Sequence, residues 1–209
     1  MLPRLPDTAD EIRSIARAVN ADPERDVFLG RAANEHVVKS AGLTGYRVVA
    51  FATHGLVPGD LDGLTQPALA LTAPEVAEVG GDGLLTMEEI LALKLNADWV
   101  VLSACNTANA AGVGAEALSG LGRAFFYAGA RALLVTHWPV ETTSARALTT
   151  DLFARQASHP DVTRARALQQ TMNALIDDAV RVDPATGRAI FSYAHPIFWA
   201  PFALVGDPG

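Results

Sequence analysis

The sequence predicts an α/β protein with a mainly parallel sheet and helices on both faces, and three observations point there. Strand-like and helix-like stretches alternate along the chain, the order that strand–helix–strand units impose. Two of the strands, "YRVVAFATHG" (46–55) and "WVVLSA" (99–104), contain continuous apolar runs rather than alternating ones, as strands covered on both faces do. Half of the 209 residues are hydrophobic and 19% are charged, enough apolar material for one sizeable core. No internal repeat, low-complexity tract or linker divides the chain, so residues 1–209 are expected to form a single domain.

The elements follow in order. "TADEIRSIARAVN" (8–20) opens on a capping box, Thr8 to Glu11, and places Ile12, Ile15, Ala16 and Val19 on one face, the spacing of an amphipathic helix. A short "DVFLG" (26–30) precedes a helix around "NEHVVKSA" (34–41). After the strand at 46–55, "TQPALALTA" (65–73) reads as a weaker strand, with Pro67 suggesting an edge. "TMEEILALK" (86–94) carries a second capping box, Thr86 to Glu89. The strand at 99–104 leads to the helix "AEALSGLGRAFFYAG" (115–129), with Gly129 as its C-terminal cap, and then to the strand "ARALLVTHW" (130–138). Two helical stretches, at 142–156 and 163–180, a loop rich in Pro and Gly, and a last strand "PFALVG" (201–206) complete the chain.

Charge and composition narrow the function. A formal net charge of −7 argues against direct nucleic-acid binding, which needs clustered Lys and Arg to neutralise phosphates. No segment has the 18 or so apolar residues of a membrane span, and the start has no signal-peptide core. A single cysteine makes neither an internal disulfide nor a Cys-rich zinc site. Cytoplasmic location is the default expectation.

In open α/β sheets, ligands bind beyond the carboxyl ends of the strands. Three strands deliver reactive side chains to that edge: His54-Gly55, Cys105 and His137-Trp138. Neighbouring strands lie about 4.8 Å apart, so an imidazole and a thiol can meet across a substrate there. A free thiol with a pKa of about 8.5 is mostly protonated at neutral pH, and an adjacent imidazole removes that proton and later delivers it to a leaving amine. The N–H groups of Gly55 and Cys105 are the candidate oxyanion donors. His54 is preferred over His137 as the base because a glycine follows it. His36, His159 and His195 read as structural or solvated. "GVGAEA" (112–117) fits a dinucleotide pattern only formally. Some eight residues separate it from the strand end, whereas a dinucleotide turn needs its glycines immediately after the strand, so no cofactor is expected.

Four stretches, "FATHG", "VVLSACNT", "GLGRAFFYAGARALLVTHWPV" and "HPIFWAPFALVGDP", together resemble the CHAT family of caspase-like domains, in the same order over about 150 residues. His54 also precedes Cys105 by roughly the 50 residues seen in caspases, although Ser-Ala-Cys-Asn-Thr replaces the caspase signature. The resemblance implies a caspase-like α/β fold related to caspases, separases and gingipains, and a cysteine endopeptidase with a His54–Cys105 dyad and Gly55 beside the oxyanion. It marks Trp138 and Trp199 as framework positions. It also implies tetratricopeptide repeats in the parent protein or a partner, and a further N-terminal portion before "LPDTADEI". Asp60, Asp62, Asp82, Glu88 and Glu89 flank the catalytic segments, and some of them would line a pocket for a basic P1 side chain, as in Arg- or Lys-directed relatives. Two other readings stand beside the peptidase: a catalytically silent regulatory or interaction module with the same fold, and an acyl hydrolase using the same thiol.

Overall fold

A computed structural model describes residues 2–5, 7–103, 113–138, 140–178, 180–183 and 185–209. In chain order the elements are α1 (Thr8–Ala18), α2 (Glu35–Ser40), β1 (Val48–Phe51), β2 (Gly55–Leu56), β3 (Ala68–Ala70), α3 (Pro74–Ala77), β4 (Leu84–Thr86) and α4 (Met87–Ala92). They continue with β5 (Trp99–Leu102), α5 (Val113–Ala128), β6 (Ala132–Thr136), α6 (Thr142–Ser158), α7 (Arg164–Asp178), β7 (Val180–Val182), β8 (Ala189–Ser192) and β9 (Phe202–Gly206).

The central sheet has the order β1-β5-β6-β9. β1, β5 and β6 run parallel, and β9 returns antiparallel along β6. Alternation along the strands sends side chains to two cores. Trp99, Val101, Ala132 and Leu134 pack with Ile15 of α1, Leu148 and Leu152 of α6 and Leu175 of α7. Val100, Leu102 and Leu133 pack with Ile90 of α4 and Leu121 and Phe125 of α5. Every residue of β5 is buried, which is why "WVVL" carries no polar alternation. This is the mainly parallel α/β architecture, consistent with a caspase-like fold.

Local chemistry explains two of the element ends. The capping box at Thr86 forms: its hydroxyl accepts from the Glu89 N–H while the Glu89 carboxylate accepts from the Thr86 N–H. Gly129 ends α5 with φ +113°, and a Cβ there would sit 2.3 Å from the Leu95 carbonyl oxygen, so the site takes only glycine without distortion.

Three expectations are corrected. The capping box at Thr8 does not form. Asp7 occupies the N-cap without a side-chain capping bond, Thr8 Oγ1 donates to Leu5 O, and Glu11 is buried against another element. "TQPALALTA" does not supply an edge strand. β3 is the middle strand of a separate antiparallel sheet, β2-β3-β4. Pro67 stands just before β3, where its missing N–H costs no ladder bond and its carbonyl accepts from Met87. The Pro/Gly-rich stretch after α7 contains the hairpin β7–β8. Its turn is set by Asp183, which accepts from the Ala185 N–H and the Thr186 hydroxyl, an Asx-type turn.

Candidate functional site

β1 and β5 are parallel neighbours in register from Val48↔Trp99 to Phe51↔Leu102. The Ser103 N–H extends the pairing by donating to Phe51 O at 3.0 Å. The carboxyl ends of these two strands lead to His54 and to Cys105 respectively. Residues 104–112 lie outside the described residues, and with them Cys105, its N–H, its distance to His54 and any cleft holding both.

His54 is half-buried, three residues beyond β1. Its backbone is tied to the antiparallel sheet by the bond from the Ala70 N–H to His54 O (2.9 Å), and the neighbouring Thr53 hydroxyl donates to Ala70 O. Its Nε2 meets the carbonyl oxygen of Pro3 at 2.8 Å. A carbonyl only accepts, so Nε2 carries the hydrogen in this contact, and a neutral ring then has its lone pair on Nδ1. Gly55 opposes Leu69. The Ala70–His54 bond beside it marks a non-hydrogen-bonded pair, so the Gly55 N–H points away from β3.

His137 follows β6, on the other side of β5, and its N–H donates to Pro201 O. Both histidines therefore follow strands that flank β5. The difference is orientation. Among the described residues the exposed His137 ring has no hydrogen-bond partner, whereas His54 has an acceptor that sets its tautomer. Trp199 Nε1 donates to Ala194 O and the ring packs against the core, a framework role; Trp138 is 39% exposed. His195 caps a short helical turn by accepting from Ile197. His36 and His159 are exposed.

Of the acidic candidates, three have local tasks. Asp60 accepts from the Val57 N–H, Asp82 from the Leu84 N–H, and Glu89 caps α4 while pairing with Lys39. The Asp62 and Glu88 carboxylates have no hydrogen-bond or ionic partner among the described residues. No three His, Cys, Asp or Glu side chains cluster there as metal ligands would. No helix among the described residues is long and apolar enough to cross a membrane.

Two contributions were not foreseen: Pro3, and the pair formed by Glu11 and Ser103. Ser103 Oγ donates to Glu11 Oε2 at 3.0 Å, with Ser103 8% and Glu11 4% exposed. Burial raises the pKa of Glu11, and the Ser103 bond opposes this only in part. A sequence signal existed: Glu11 stands four residues before Ile15, on the stripe that α1 buries.

Comparison with known proteins agrees with this architecture. Tetratricopeptide repeat protein 28 of Mus musculus is 32% identical over 124 residues, which make up 59% of this chain. The chain thus spans only 4% of that relative's length. The family model of the CHAT domain matches residues 1–207. With nearly its whole length matched, the chain belongs to the CHAT domain family, a caspase-like, peptidase-related domain.

Proposed function

We propose that residues 1–209 form a single CHAT domain that acts as a cysteine endopeptidase, cleaving protein or peptide substrates after a basic residue in the cytoplasm. The observation that carries this reading is the parallel adjacency of β1 and β5, whose carboxyl ends lead to His54 and Cys105. In the proposed cycle, His54 Nδ1 takes the Cys105 thiol proton, and the sulfur attacks the scissile carbonyl carbon. The oxyanion is held by the N–H groups of Gly55 and Cys105. The imidazolium then protonates the leaving amine as the C–N bond breaks, and water, deprotonated by His54, hydrolyses the thioester. Throughout, the Pro3 carbonyl keeps hydrogen on Nε2 and stabilises the imidazolium. Asp62 and Glu88, whose carboxylates are not committed to described neighbours, are the preferred acidic partners for a P1 Arg or Lys. No cofactor takes part.

Peptide acyloxymethyl ketones with Arg, Lys, Asp or Asn at P1 test this reading. The basic probes are expected to label the wild type and to leave Cys105→Ala untouched. Labelling that survives Cys105→Ala would remove the nucleophile, and a clear preference for Asp or Asn would remove the basic specificity.

A second reading is a catalytically silent regulatory or interaction module, working with tetratricopeptide repeats in the parent protein or a partner. It is favoured by the likeness to a relative named for such repeats. No labelling by any of the probes would support it.

A further inference from the structure

We infer that Glu11 is a positioning residue for the nucleophile, acting through Ser103, which it holds at the end of β5 two positions before Cys105 in the chain. This rests on the reading of Cys105 as the nucleophile.

The argument starts from a cost. Glu11 is 4% exposed, and its Oε1 is buried without a hydrogen-bond partner among the described residues. A buried carboxyl group with an unsatisfied oxygen destabilises the fold. An apolar residue would suit the same stripe of α1, beside Ile15. A side chain retained against such a penalty calls for an explanation in what it does. The side-chain hydrogen bond that Glu11 makes is to Ser103 Oγ. Ser103 is the last described residue of this strand end and stands two positions before Cys105. Its N–H is already fixed to β1 through Phe51 O. With backbone tied to β1 and side chain tied to α1, Ser103 is restrained in two directions.

The second observation is that the same stretch of chain reaches the other half of the dyad. Pro3 stands four residues before the N-cap Asp7, and its carbonyl accepts from His54 Nε2. α1 itself packs against α6. Pro3 and Glu11, eight positions apart in the chain, thus support the histidine through a backbone carbonyl and the end of β5 through a carboxyl group. A displacement of about 1 Å in such a pair can cost about 100-fold in rate.

The test measures iodoacetamide alkylation of the sole cysteine at pH 6, read by mass, with thermal melting in parallel. Glu11→Leu/Ser103→Ala replaces both partners by apolar groups, a change close to neutral for the fold. It is expected to melt near the wild type and to alkylate at least about tenfold more slowly. Glu11→Gln keeps an acceptor for Ser103 and is expected to stay within about twofold of the wild type. That rescue separates positioning from a general loss of structure. A folded double variant that reacts at the wild-type rate overturns the inference, and so does Glu11→Gln reacting as slowly as the double variant. Should the double variant not fold, Ser103→Ala decides: a tenfold loss supports positioning and an unchanged rate overturns it. The wild type measured beside His54→Ala is the control. Equal rates in that pair would withdraw the nucleophile reading, and this inference with it, whereas a clear difference there with unaffected Glu11 variants would sink positioning alone.

Discussion

The two strand ends that lead towards the proposed dyad are held by different kinds of bond. Beyond β1, His54 is fixed by main chain: Ala70 donates to its carbonyl and the Pro3 carbonyl meets its ring. Beyond β5, Ser103 is fixed on one side by main chain and on the other by a buried carboxyl group with one oxygen unpaired among the described residues. Main-chain anchors survive most substitutions, because the groups that bond are common to nearly every residue. A side-chain anchor is lost with one codon. The thiol end should therefore be the more sensitive to mutation outside the dyad itself, and the histidine end sensitive mainly at His54.

The largest expected effect comes from breaking the histidine end at its only irreplaceable atom group. His54→Ala is expected to lower kcat/KM on a peptide substrate by about 100-fold or more, the usual scale of general acid–base catalysis. It should also bring Cys105 alkylation at pH 6 down to that of a free cysteine model. A variant that keeps wild-type turnover would leave the well-oriented imidazole without a chemical task.

A moderate effect is expected at the thiol end, in the pH dependence of stability. Burial raises the pKa of Glu11, so the folded protein holds this proton more tightly than the unfolded chain, whose carboxyl titrates near about 4.3. The associated stability is fully present below that value and is lost as pH rises through the raised folded value. The melting temperature of the wild type relative to Glu11→Gln should therefore fall as pH is raised from about 4 towards neutrality. A difference that grows with pH would mean that the ionised form is the one the fold prefers.

The smallest effect is expected at His137, which flanks β5 on the opposite side from His54. His137→Ala should leave kcat/KM within about twofold, since its ring lacks an orienting partner among the described residues. A loss comparable to that of His54→Ala would move the base to the other side of the thiol strand.

Much of this molecule was legible before folding. The burial of "WVVL" on both faces, the Thr86 capping box and the Gly129 cap each follow from residues close together in sequence. So do the apolar runs of β1 and β5, the strands that precede His54 and Cys105 in the chain, because strand propensity and apolar runs are local properties. Family membership was legible as well, through four stretches that keep their order. What tertiary structure decided are matters of long-range partnership. Thr8 and Glu11 satisfy a capping pattern, yet the carboxyl group finds Ser103 across 92 positions instead. Pro67 marks an edge by propensity, yet it stands just outside a strand paired on both sides. Pro3 carries no motif, because a backbone carbonyl looks the same in every residue and only the path of the chain brings it to His54. Sequence determines which groups are present and which local shapes they prefer. Which acceptor a buried donor meets is settled by the packing of distant elements, since leaving it unmet costs more than giving up a local cap.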